Sequence, residues 1–145
     1  MTLPYILLLF YLVALISSCA FAIRFGGISE RYGAAIMLIG SCLTAVAGLF
    51  ASGWHNTEIG VLLVDIAVLA AFLTLALHSD KYWPLWTTAF QVIGVATHLA
   101  RLVDPAIIPR AYSMAQGFWA YPMLAALVIG ARANHIAARR NAVRC

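Results

Sequence analysis

The sequence predicts an all-α integral membrane bundle of about five transmembrane helices, with the amino end outside and the carboxyl end inside. Three observations predict this. Hydrophobic residues make up 64% of the 145 residues and charged residues only 10%. A soluble domain is nearer half apolar and a quarter charged. The apolar residues form continuous runs, each near the ~20 residues that cross a ~30 Å hydrocarbon core. The basic residues gather at the ends of those runs, more on one side than on the other. Strands are not expected, because continuous runs of this length lack the alternation of a barrel strand.

The first span is expected over about Leu3 to Ile23, stopped by Arg24-Phe25-Gly26-Gly27. The second runs from about Gly33 to Ser52 and stops at Gly53-Trp54-His55-Asn56. Thr57-Glu58 offers a capping hydroxyl and an acid for the next first turn. The third span covers Ile59 to Leu77 and ends at His78-Ser79-Asp80-Lys81. The fourth, about Trp83 to Leu102, is the least apolar. Its Pro84 suits a first turn, where a missing N–H is harmless. Asp104-Pro105 and Pro109 mark a turn, and the fifth span follows from about Tyr112 to Ala131, with Pro122 as an expected kink. Residues 1–131 thus read as one bundle and 132–145 as a basic cytoplasmic tail.

Orientation follows from Lys and Arg near the span ends. With the amino end outside, the inner segments hold seven basic residues: Arg24, Arg31, Lys81, Arg132, Arg139, Arg140 and Arg144. The outer segments hold two, Arg101 and Arg110. Basic residues stay on the cytoplasmic side, so N-out and C-in is favoured, in a bacterial inner membrane. Tyr82, Trp83 and Trp86 then read as an inner aromatic anchor and Trp54 as an outer one.

The net charge of +4 does not point to nucleic acid, because the basic residues sit at span ends and in the tail. Cys19 and Cys42 fall inside apolar runs as small packing residues, and no Cys or His has zinc-ligand spacing. Ile16-Ser17-Ser18-Cys19 has the look of a lipoprotein cleavage box, but Met1 to Tyr5 carries no Lys or Arg. The segment reads as a retained first helix. No nucleophile elbow, glycine-rich phosphate loop or metal-protease helix is present, so no catalytic residue is assigned.

The few intramembrane polar groups are the places to look for chemistry. Asp65 interrupts the third span about two turns from its outer end. An ionised carboxylate at that depth costs several kcal/mol unless it is paired or faces a polar cavity. On the fourth span Thr87, Gln91, Gly94, His98 and Arg101 recur every three or four residues and share one face. On the third, Glu58, Asp65, Phe72 and Ser79 recur every seven. The two faces are expected to meet, with His98 first and Arg101 second as partner of Asp65. The resulting cluster of Asp65, Gln91, His98 and Arg101 reads first as interhelical packing, and otherwise as a proton or ion path. On the second span Gly40, Thr44 and Gly48 form a small-residue stripe, expected to make a close helix contact.

The four histidines fall in two pairs by depth: His55 with His98 near the outer face, His78 with His135 near the inner one. That is the arrangement a bis-histidine b-type haem would need.

The stretch Tyr82-Trp83-Pro84-Leu85-Trp86, through Phe90-Gln91 to Thr97-His98-Leu99-Ala100-Arg101, resembles small bacterial multi-span inner-membrane proteins of unassigned activity. The resemblance covers the third to fifth spans. It implies the same topology and carries no catalytic or binding residue across.

The expected function is that of a non-enzymatic polytopic subunit or partner in a larger inner-membrane assembly, in contact with lipid and with other membrane subunits or copies of itself. A small haem redox protein and a minimal transporter built on Asp65, Gln91 and His98 are the alternatives.

Overall fold

The computed structural model describes residues 3–50, 54–103 and 118–144; within them, the side chains of residues 3, 4, 50, 54–58, 101–103 and 144 are outside the description. The described residues are all-helical, in five helices: α1 (Leu3–Phe25), α2 (Ile28–Phe50), α3 (Trp54–Leu77), α4 (Trp83–Val103) and α5 (Ala120–Arg144). Each helix packs against its neighbours in the chain, and α5 also packs against α1, so the five close into a ring; α2 and α5 touch across it. Asn134 of α5 meets Lys81 and the α1–α2 turn. Tyr121 of α5 meets Phe10 and Tyr11 near the start of α1. The two helices therefore run parallel.

The helix ends follow local chemistry. Gly26 N–H donates to Ala22 O at 2.9 Å and ends α1. A Cβ at Gly26 would meet Ala22 O and the Glu30 side chain, so the turn needs a glycine. Glu30, in the first turn of α2, accepts a hydrogen bond from Gly27 N–H at 2.8 Å. This back-bond satisfies a donor that the first helical turn would leave orphaned. In α4 Pro84 occupies the second position, as its missing N–H allows.

Among the described residues, three stretches are long and apolar enough to cross a membrane: Tyr5–Phe25, Ile28–Leu49 and Ile59–Leu77. This is fewer than the five spans expected. Among the described residues α4 falls short because Thr87, Thr88, Gln91, Thr97, His98 and Arg101 interrupt it. In α5 the apolar stretch from Ala120 to Ala131 is followed at once by Arg132, Asn134, His135, Arg139 and Arg140. The expected start of the fifth span, at Tyr112, lies outside the described residues. Pro122 falls in the first turn of α5, just after a break in the helix at Trp119; the residues before Phe118, on which the expected kink depends, lie outside the described residues. The basic segment from Arg132 to Arg144 continues the same helix.

The interior is narrow and made of small or flat side chains. Cys19, Ala22 and Ala34 bring α1 and α2 together, with Cys19 Sγ 3.7 Å from Ala34 O. Phe72 and Leu127 have no exposed surface and fill the centre. Large apolar side chains such as Leu9, Phe10, Leu49, Leu63 and Ile129 point outward. An outward apolar surface of this extent is compatible with a membrane location.

Candidate functional site

Among the described residues, two polar clusters lie inside the bundle, toward opposite ends, and α4 contributes to both. Toward one end, Asp65 of α3 meets α4. Its Oδ2 is 2.7 Å from His98 Nε2, and its Oδ1 accepts from Gln91 Nε2 at 3.2 Å. The same amide donates to the Asp65 carbonyl at 3.2 Å. Gln91 and His98 are both buried. The seven-residue separation of Gln91 and His98 puts them two turns apart on one helix face, and the carboxylate bridges them. Tyr11 of α1 donates or accepts at Ser41 Oγ of α2, 2.7 Å away, and stands within electrostatic reach of Asp65.

Toward the other end, Glu30 of α2 is completely buried. Lys81 Nζ donates to both its oxygens at 2.8 Å and to Asn134 Oδ1 at 2.9 Å. Trp83 Nε1–H donates to Glu30 Oε1 at 2.8 Å. With the Gly27 N–H bond, one carboxylate gathers the α1–α2 turn, the α3–α4 turn, α4 and, through Lys81, α5. Nearby, Ser29 and Ser79 hydroxyls lie 3.0 Å apart. A buried carboxylate needs this degree of pairing, because an unmatched one in low dielectric is costly.

Trp83 is therefore not part of an interfacial anchor. It is 5% exposed, whereas Tyr82 and Trp86 are exposed as an anchor requires. Its indole lies between Gly33 of α2 and Gly130 of α5, where a Cβ on either glycine would collide with the ring. Periodicity gave no sign of this cluster. A Glu three residues after Gly27 is a helix-start pattern that would have pointed to Glu30, which the expected start at Gly33 passed over, but Lys81 lies 51 residues and Trp83 53 residues from Glu30 in sequence.

Of the expected polar cluster, the structure brings together Asp65, Gln91 and His98. Arg101 lies on α4, but its side chain is outside the described residues. The α4 stripe faces inward: Thr87, Gln91 and His98 are all buried. The histidines are not gathered in pairs among the described residues. His78, directly after α3, donates its Nδ1–H to Thr74 O at 2.9 Å and lines a shallow groove with Tyr32 and Ile36 of α2. His135 packs edge-on against Phe25 of α1 at 5.0 Å. His78 follows the end of α3 and His135 lies on α5, and these two helices are not adjacent in the ring. The side chain of His55 lies outside the described residues. No group of three or more metal-ligating side chains occurs among the described residues.

The small-residue stripe of α2 splits. At Gly40 an added Cβ would sit 2.7 Å from Val68 Cγ2, a close contact with α3. Thr44 turns its hydroxyl back to Gly40 O at 3.0 Å. A Cβ added at Gly48 would meet nothing within 4 Å, so among the described residues the expected close contact does not extend to it.

Comparison with family models, with curated proteins and with solved structures finds no match to this chain.

Proposed function

We propose that the chain is a five-span membrane bundle of the bacterial inner membrane, amino end outside and carboxyl end inside, serving as a non-enzymatic subunit or partner of a larger membrane assembly. The observation that carries this is the pairing of the interior charges. Glu30 is satisfied by Lys81, and Asp65 by His98, in each case from another element of the same bundle. The interior is thus committed to holding the helices together, while the outward side chains of α1, α2 and α3 are broad and apolar. Such surfaces serve lipid and neighbouring helices alike. The groove between α2 and α3 is lined by Ile36, Ala71 and Leu75 and is apolar. The proposed orientation is supported by the ring, because Arg24, Arg31, Lys81, Arg132, Arg139 and Arg140 all belong to its Glu30 end.

The test is mass analysis of the protein after mild solubilisation from its own membrane. The expected particle is heavier than the 15.7 kDa chain with its bound lipid. A single chain at every detergent concentration, including the mildest, overturns the proposal.

A further inference from the structure

We propose that the groove between α2 and α3 holds one anionic phospholipid of the leaflet at the Glu30 end, with an acyl chain on Ile36, Ala71 and Leu75 and its phosphate taken by Arg31 and Tyr32. This goes beyond a subunit role and rests only on the membrane placement of α2 and α3.

The groove changes character along its length, at the level where a bilayer does. It is lined by Tyr32 and Ile36 of α2, by Ala71, Thr74 and Leu75 of α3, and by His78 just after α3. The apolar stretches of the two helices are Ile28–Leu49 and Ile59–Leu77. Tyr32 therefore stands one turn inside the end of one stretch, and His78 directly beyond the end of the other. Hydrocarbon gives way to headgroups at that level, and rings with a polar tip favour it. Ile36, Leu75 and Ala71 follow deeper, with Ala71 ~10 Å along the axis from His78. Polar at the boundary and apolar below it is the order of a phospholipid.

The groove wall offers no open donor to compete with an acyl chain. Thr74 Oγ1 donates to Ala70 O at 2.8 Å, and the Thr74 carbonyl takes the Nδ1–H of His78 at 2.9 Å. Beside the mouth the Ser29 and Ser79 hydroxyls hold each other at 3.0 Å, which ties the start of α2 to the turn after α3.

The mouth carries the charge. Arg31 is exposed next to Tyr32, which is 62% exposed. Among the described residues neither the Arg31 guanidinium nor the Tyr32 hydroxyl has a partner. Lys81, by contrast, is committed to Glu30. Arg24, Arg132, Arg139 and Arg140 are exposed at the same end, and the one exposed acid among the described residues is Asp80. A phosphate brings the counter-charge that Arg31 lacks. Guanidinium meets phosphate through paired, charge-assisted hydrogen bonds, and the long arginine stem carries the head to the boundary.

The experiment uses the full chain reconstituted in phosphatidylcholine vesicles. A small fraction of the lipid carries a photoreactive acyl chain, under either a phosphatidylglycerol or a phosphatidylcholine headgroup. Peptide mass analysis after irradiation compares the segments of Ile36 and of Ala71 to Leu75 with outward Leu9 and Phe10 of α1. The anionic probe is expected to mark the groove about fivefold more than the choline probe does, the factor one basic contact gives at an anionic surface. On α1 the two probes should mark alike. Ala71→Phe fills the groove and should remove its marking. Arg31→Gln with Tyr32→Phe should bring the two probes level there. The comparison of probes on the unaltered chain carries the test even if a variant fails to fold. Equal marking of the groove by both probes overturns the proposal. A groove left unmarked while α1 is marked, as a second copy seated there would leave it, overturns the site and leaves membrane insertion standing. No marking on any helix overturns the membrane placement together with the site.

Discussion

The indole Nε1–H of Trp83 donates to Glu30 Oε1 at 2.8 Å, at a site where Glu30 has no solvent exposure. A single hydrogen bond thus joins the first turn of α2 to the first turn of α4. The same carboxylate holds Lys81 at 2.8 Å through each oxygen. Removing Lys81 alone leaves a buried charge short of its counter-ion. Lys81→Met should destabilise the bundle by about 3–5 kcal/mol, toward the low end because Lys81 is 35% exposed. The double change Glu30→Gln with Lys81→Met should recover most of that loss. Thermal unfolding in detergent followed by circular dichroism checks both. Equal loss in the single and double variants would show that the pair does not act as a pair.

The Trp83 wedge makes two glycines sensitive. Gly33→Ala and Gly130→Ala each place a methyl group against the ring. Overpacking of this kind costs about 1–3 kcal/mol. Combined with Trp83→Leu, which shortens the obstructing side chain, each alanine should cost less than it does alone. The measurement is again the unfolding midpoint, and additive losses would argue against the wedge.

On α2 the two ends of the small-residue stripe should behave differently. Gly40→Leu meets Val68 and should destabilise the bundle, whereas Gly48→Leu has open space around it. For Gly48→Leu an effect within about 0.5 kcal/mol on the isolated chain is expected. If Gly48→Leu leaves the isolated chain folded yet breaks a larger particle, the outward glycine belongs to an intermolecular contact.

Truncation after Ala138 removes Arg139, Arg140 and Arg144 but keeps Asn134 and its bond to Lys81. The bundle should therefore remain folded. Retention of anionic lipid should weaken, since each basic residue near such a surface contributes about 1 kcal/mol. Native mass analysis with defined lipid mixtures reads this. Unchanged retention would leave the basic tail with only an orienting role.

Reporter fusions at Cys145 and at Asp104 should report opposite sides of the membrane, with Cys145 inside. The basis is the seven-to-two distribution of basic residues in the sequence. Same-side signals would remove the proposed topology.

The amino-acid sequence by itself determined that the chain is helical and where most helices end. Long apolar runs and helix-stopping Gly26-Gly27 act locally, so α1 and α4 appear near their expected bounds, whereas α2 starts at Ile28 rather than near Gly33 and α3 at Trp54, ahead of the expected cap at Thr57. It also determined that Asp65 and His98 could meet, because both sit on polar faces of consecutive antiparallel helices and at matching depth. Only the tertiary structure decided that Trp83 is a buried wedge rather than an anchor, and that Glu30 is a hub. Nothing local separates Trp83 from exposed Trp86, three residues on. The difference arises because the ring of five helices brings Gly33 and Gly130 to the two sides of one indole and leaves the other outside. The partners of Glu30 come from the α3–α4 turn and from α4, and Asn134 of α5 joins through Lys81, so the cluster exists only once the ring has closed. Periodicity along one helix cannot report a contact made by the faces of several.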